Sequence, residues 1–148
     1  MRRQLAAVVA GLVAVAGGVV ALPGPAMAGL DEFNQAVASS APTGTYKCTV
    51  AIAGATACFK PYGDIWYVKD TAADSASAQV AWYMSIGSAS EHYTRAGTCR
   101  NSLGNGTWGA CNLEYAETEW LDFAAVVWDV DGGGYVRESP MVYGVKAG

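Results

Sequence analysis

Four cysteines, Cys48, Cys58, Cys99 and Cys111, carry the plainest chemistry in this chain. Thiols at such positions can bind zinc, cycle a redox couple or close disulfides. A zinc site needs closer spacing or nearby histidines, and the one histidine is His92. A redox C-x-x-C pair is absent. An even count in a chain that opens with an export signal points to two disulfides, in one of three possible pairings. Paired positions of an antiparallel hairpin have a constant sum of residue numbers. Cys48 and Cys58 centre on Ala53, with Gly54 at the tip. Cys99 and Cys111 centre on Asn105, between Gly104 and Gly106. The spacing therefore predicts Cys48–Cys58 and Cys99–Cys111, each across the base of its own hairpin.

Other residue types offer weaker chemistry. Asp129 and Asp131 in "DVDGGG" begin like a calcium loop. Gly133 and Pro140 stand where its further ligands belong, so the stretch reads as a hairpin tip. Asp64, Asp70, Asp74, Glu114, Glu117, Glu119 and Asp122 offer carboxylate pairs of the kind glycosidases use, but an acidic chain contains such pairs by chance. His92 has no G-x-S-x-G elbow to serve. No catalytic set, metal site or cofactor motif emerges. The aromatic residues stand out more, with eight Tyr and five Trp against three Phe. Tyr and Trp join an apolar ring to a polar tip and suit half-exposed binding surfaces. Tyr67, Tyr83 and Tyr93 are the candidate binding platform, with Arg100 and Trp108 beside the 104–106 tip. Trp82 and Trp128 are expected in the core.

The elements that must position these residues begin after the leader. Arg2 and Arg3, the apolar run 5–22, Pro23, Pro25 and "AMA" at 26–28 form a signal peptide with cleavage after Ala28. No basic cluster follows to anchor it in a membrane. Loss of Arg2 and Arg3 leaves seven basic residues against thirteen acidic ones, a net charge of −6. That charge argues against nucleic-acid binding. Residues 29–44 read as an arm or a short helix, with Leu30, Phe33 and Val37 at helical spacing. From residue 45 the period becomes two. Strands are expected at 45–51, 56–60, 64–70, 76–86, 91–100, 107–115, 120–130 and 135–145, the last interrupted at Pro140, which marks an edge strand or a bulge. Residues 45–148 thus form one all-β domain, an antiparallel β-sandwich or small barrel of seven to eight strands with two disulfides.

The stretches "CFKPYGDIWYVKD", "SAQVAWYM" and "GTCRNSLGNGTWGACN" resemble a group of small exported actinomycete proteins of unassigned activity. The resemblance covers residues 46–128 and implies export and a compact fold. "SPMVYG" at 139–144 resembles the reactive-site loop of secreted subtilisin inhibitors, although Ser139 stands where those proteins have a cysteine. The expectation is a secreted, monomeric, non-catalytic protein that binds a protein or a glycan through an aromatic surface. The alternatives are a small inhibitor of secreted hydrolases and a small hydrolase.

Overall fold

Alternation in "IWYVKD" becomes a strand with Trp66, Val68 and Asp70 buried and Ile65, Tyr67 and Lys69 half-buried. The same logic runs through the chain. The computed structural model describes residues 32–87 and 92–148, so the signal peptide expected at 1–28 lies outside the described residues. Eleven strands follow in order: β1 (Glu32–Gln35), β2 (Val37–Ser39), β3 (Lys47–Cys48), β4 (Ala55–Lys60), β5 (Ile65–Asp70), β6 (Ser77–Ile86), β7 (Tyr93–Asn101), β8 (Trp108–Asn112), β9 (Glu119–Asp129), β10 (Gly134–Glu138) and β11 (Val142–Lys146). The first sheet has the order β1-β7-β6-β9-β10, with β11 also on β9; the second is β2-β8-β5-β4-β3. Among the described residues all strand pairings are antiparallel except β1 with β7. The fold is an all-β sandwich.

Aromatic rings from both sheets meet in the core. Trp66 packs against Phe59 at 4.4 Å and edge-on against Phe123 at 4.9 Å between ring centroids. Its indole N–H donates to the Tyr115 hydroxyl at 2.8 Å, which satisfies a buried donor. Burial pushes the Tyr115 phenol well above its ordinary pKa.

Both cysteine pairings hold, but only one of the two geometries does. Cys48 faces Cys58 across the β3–β4 hairpin, with Cα atoms 3.9 Å apart. Cys99 and Cys111 do not share a hairpin. Cys99 lies on β7 in the first sheet and Cys111 on β8 in the second, so their bond crosses the sandwich, with Cα atoms 6.0 Å apart. Residues 102–107 turn the chain from one sheet to the other. Buried Asn101 stabilises this corner, donating from Nδ2 to the carbonyls of Val68 and Thr107 at 2.9 and 3.0 Å and accepting from the Leu103 N–H at 2.9 Å.

The arm is not a helix. Residues 32–39 extend and change sheets, β1 pairing with β7 and β2 with β8 around buried Ala36. Two glycines admit it. A Cβ on Gly97 would lie 2.5 Å from the Glu32 carbonyl, and one on Gly109 would lie 2.7 Å from the Ala36 Cβ. Pair formation along two sheet edges outweighs the helical spacing of three apolar residues, because a short isolated helix is marginal. Arg95 locks the arm, gripping Glu32 through Nε and Nη2 at 2.8 and 3.0 Å.

Pro140 interrupts an edge strand, as its missing N–H requires. β10 and β11 lie along the same side of β9, with the Ser139 hydroxyl accepting from the Ala125 N–H at 3.0 Å beside the break. Among the described residues no helix is long and apolar enough to cross a membrane. Two disulfides suit an oxidising compartment.

Candidate functional site

On β6, Ala78, Val80, Trp82 and Met84 point into the sandwich, which turns Ser77, Gln79, Ala81, Tyr83 and Ser85 outward. Pairing extends these positions sideways. Phe33, Thr98, Ala81 and Ala124 form one row; Gln35, Arg100, Gln79 and Val126 form the next. Ala81 and Thr98 are small, so the middle of the face is low, and larger side chains rise around it. The result is a groove of about 250 Å³ whose walls include Phe33, Tyr83, Trp128 and Tyr135.

Arg100 crosses this groove. Its guanidinium carbon lies 5.0 Å from the Phe33 ring centre and 4.8 Å from that of Trp128. Nε donates to the Gln79 amide oxygen at 3.0 Å, which fixes the orientation of the fork. Gln79 is itself buried. Trp128 meets Tyr135, its partner on β10, edge-on at 5.2 Å. Phe33 and Tyr135 remain 57% and 60% exposed, so much of each ring is open to solvent. Desolvation in the groove lowers the Arg100 pKa, opposed by the Tyr135 phenol, but a guanidinium stays charged at physiological pH.

The residues expected to form one platform separate. Tyr83 and Tyr93 stay together, with ring centres 5.1 Å apart, on the groove side of the sandwich. The Tyr93 hydroxyl donates to Asp122 Oδ2 at 2.9 Å. Tyr67 points outward from β5, on the opposite sheet. Trp108 lies on β8 of that sheet too, where the Lys69 ammonium sits 5.8 Å from its ring centre. Arg100 belongs to the groove and not to the 104–106 corner. Trp128 is half-buried and lines the groove, contrary to the core position expected of it. β9 is apolar on both faces, which hides which end of it reaches the surface. Gln79, Thr98 and Tyr135 were not singled out from the sequence, and Phe33 was read only as part of a short helical spacing. The exposed ring of Phe33 in a short polar arm was the one available signal.

Several of the remaining candidates serve the fold. Asp129 closes the β9–β10 turn, its Oδ1 accepting from the Asp131 N–H at 3.0 Å. Asp64 Oδ2 accepts from the Tyr115 N–H at 3.1 Å, and Glu119 Oε2 from the Ala116 N–H at 2.7 Å. Burial raises the Asp64 pKa, the Tyr115 bond opposes it, and Glu117, Glu119 and Glu114 add to the rise. "SPMVYG" is not a protruding loop. Its first residue is buried and Val142 onward pairs with β9. His92 is exposed just before β7. No cluster of three or more His, Cys, Asp or Glu able to hold a metal occurs among the described residues.

Comparison with protein-family models, with curated proteins and with solved structures yields no match. The site is therefore read from its own geometry.

Proposed function

We propose that this chain is a secreted, non-catalytic protein that binds a glycan in the groove on the outer face of its first sheet. The exposed rings of Phe33 and Tyr135 beside a low floor of Ala81 and Thr98 carry this reading. Sugar rings present flat apolar faces and hydroxylated edges. Aromatic faces accept the first, and fixed polar groups such as Gln79 and Arg100 accept the second. The groove is open and shallow, which suits binding one or two rings of a longer chain. Secretion rests on the signal-like first 28 residues and the disulfides. The inhibitor reading draws less support from "SPMVYG", because Val142, Val145 and Lys146 pair with β9.

A glycan array probed with the mature protein tests this, followed by titration calorimetry of the hits. Phe33→Ala and Tyr135→Ala are each expected to weaken binding about tenfold. Both rings are mostly exposed, so melting temperature should hold. Absence of any glycan hit, or hits indifferent to both substitutions, overturns the reading.

A further inference from the structure

Two arginines on β7 meet different fates. Arg95 is neutralised by the bidentate Glu32 pair and also donates to the Glu114 carbonyl at 2.9 Å. Arg100, five residues on, has no carboxylate within ion-pair distance among the described residues. Its Nε is taken by Gln79, and its Nη groups make no hydrogen bond to the described protein. A desolvated cation normally has a partner. Here aromatic faces on two sides supply part of that role, and the Gln79 bond engages only Nε of this groove-lining fork. Such a fork, held by one nitrogen with the others free, matches a planar carboxylate.

We infer that the ligand is an acidic glycan, and that the carboxylate of a uronic-acid unit docks on the Arg100 Nη groups while neighbouring sugar faces lie against Phe33 and Tyr135. This rests on the glycan reading above and names the class of sugar. One guanidinium suits a monoanion. The mature chain carries a net charge of −6, so the field of the whole protein does not draw polyanions in. Recognition is then local and depends on this one cation.

The test uses the mature protein with its disulfides intact. Oligogalacturonate, oligomannuronate and a glucuronate-containing oligosaccharide are titrated, each as the free acid and as its methyl ester. Poly-L-glutamate supplies carboxylates without sugar rings. At least one free acid is expected to bind about tenfold more tightly than its ester, and that advantage should shrink as salt rises. Arg100→Gln should bring acid and ester level. Arg100→Lys should restore part of the difference, since it keeps the charge and loses the fork. Equal binding of acid and ester by the wild-type chain overturns the carboxylate inference and leaves the glycan reading standing. Binding of poly-L-glutamate as tightly as the best uronate shows a carboxylate site that does not read sugar, and overturns the proposal from the other side. No binding to any of these oligosaccharides overturns the acidic-glycan inference, and the glycan array then decides the glycan reading by itself. The wild-type acid-against-ester comparison decides the matter even if Arg100→Gln fails to fold.

Discussion

The two disulfides close loops of nearly equal length, with separations of 10 and 12 residues. Chain entropy therefore assigns each about 3 kcal/mol. Their surroundings differ. Cys99 and Cys111 belong to the apolar core and join the two sheets, beside the arm that closes the same edge. The Cys48–Cys58 bond reinforces two strands that already pair within one sheet. Loop length is thus a poor guide to what a bridge does. The same number of residues can staple a hairpin or hold a sandwich shut.

Four measurements press on this contrast. The largest effect is expected from Cys99→Ala with Cys111→Ala. Loss of the loop constraint and a new core cavity should together cost about 5 kcal/mol, read by urea unfolding. Cys48→Ala with Cys58→Ala should cost about 3–4 kcal/mol, the entropic term with a smaller cavity contribution, since Cys58 is buried but Cys48 only half-buried. Equal losses for the two double variants would remove the distinction between seam and hairpin.

Gly97→Ala comes next. Its Cβ would meet the Glu32 carbonyl and the Trp82 ring, so β1 must shift, at a cost of about 2 kcal/mol. Because β1 carries Phe33, glycan binding should weaken in the same variant. Unchanged stability would show that the arm docks loosely.

The smallest effect concerns Asp70, at the second-sheet side of the corner. Burial raises its pKa, opposed by the Ala72 N–H, and Asp74 adds to the rise. A raised carboxylate pKa means that the folded state holds its proton more tightly than the unfolded chain. Its contribution to stability therefore grows as pH falls from neutrality into the ordinary carboxylate range, and is lost as pH rises through the folded value. Asp70→Asn should be neutral or stabilising by under about 1 kcal/mol at pH 7, with the difference fading on acidification. Thermal melts at several pH values read it. Marked destabilisation at pH 7 would mean that the charge itself holds the corner.

Much of the first level of organisation was legible in the chain. Period-two alternation put Trp66 and Val68 on one face of a strand and Ile65 and Tyr67 on the other, and the fold turned the first face inward. Pro140 marked the broken edge, and the glycine-rich 131–134 stretch marked a turn. The hairpin sum found Cys48 opposite Cys58 because β3 and β4 are neighbours in chain and sheet alike. The same sum paired Cys99 with Cys111 correctly for a reason that does not hold, since β7 and β8 are neighbours in chain only. The helical spacing at residues 30–37 was outvoted by edges available for pairing. The groove was half legible. Arg100 and Tyr83 were named, while Phe33, Gln79, Trp128 and Tyr135 came to it from four different strands.

By itself the sequence determined most of the strands from residue 45 onward, the cysteine partners and the abundance of half-polar rings, because these follow from alternation, spacing and composition along a local stretch. Only the tertiary structure decided which sheet each strand joined. That choice carried Tyr67 and Trp108 to one face and set Phe33, Trp128 and Tyr135 around Arg100 on the other. The physical reason is that strand order is set by which edges and faces bury best across the whole molecule. A period of two fixes the side of a strand a residue occupies, but not its neighbours across the sheet.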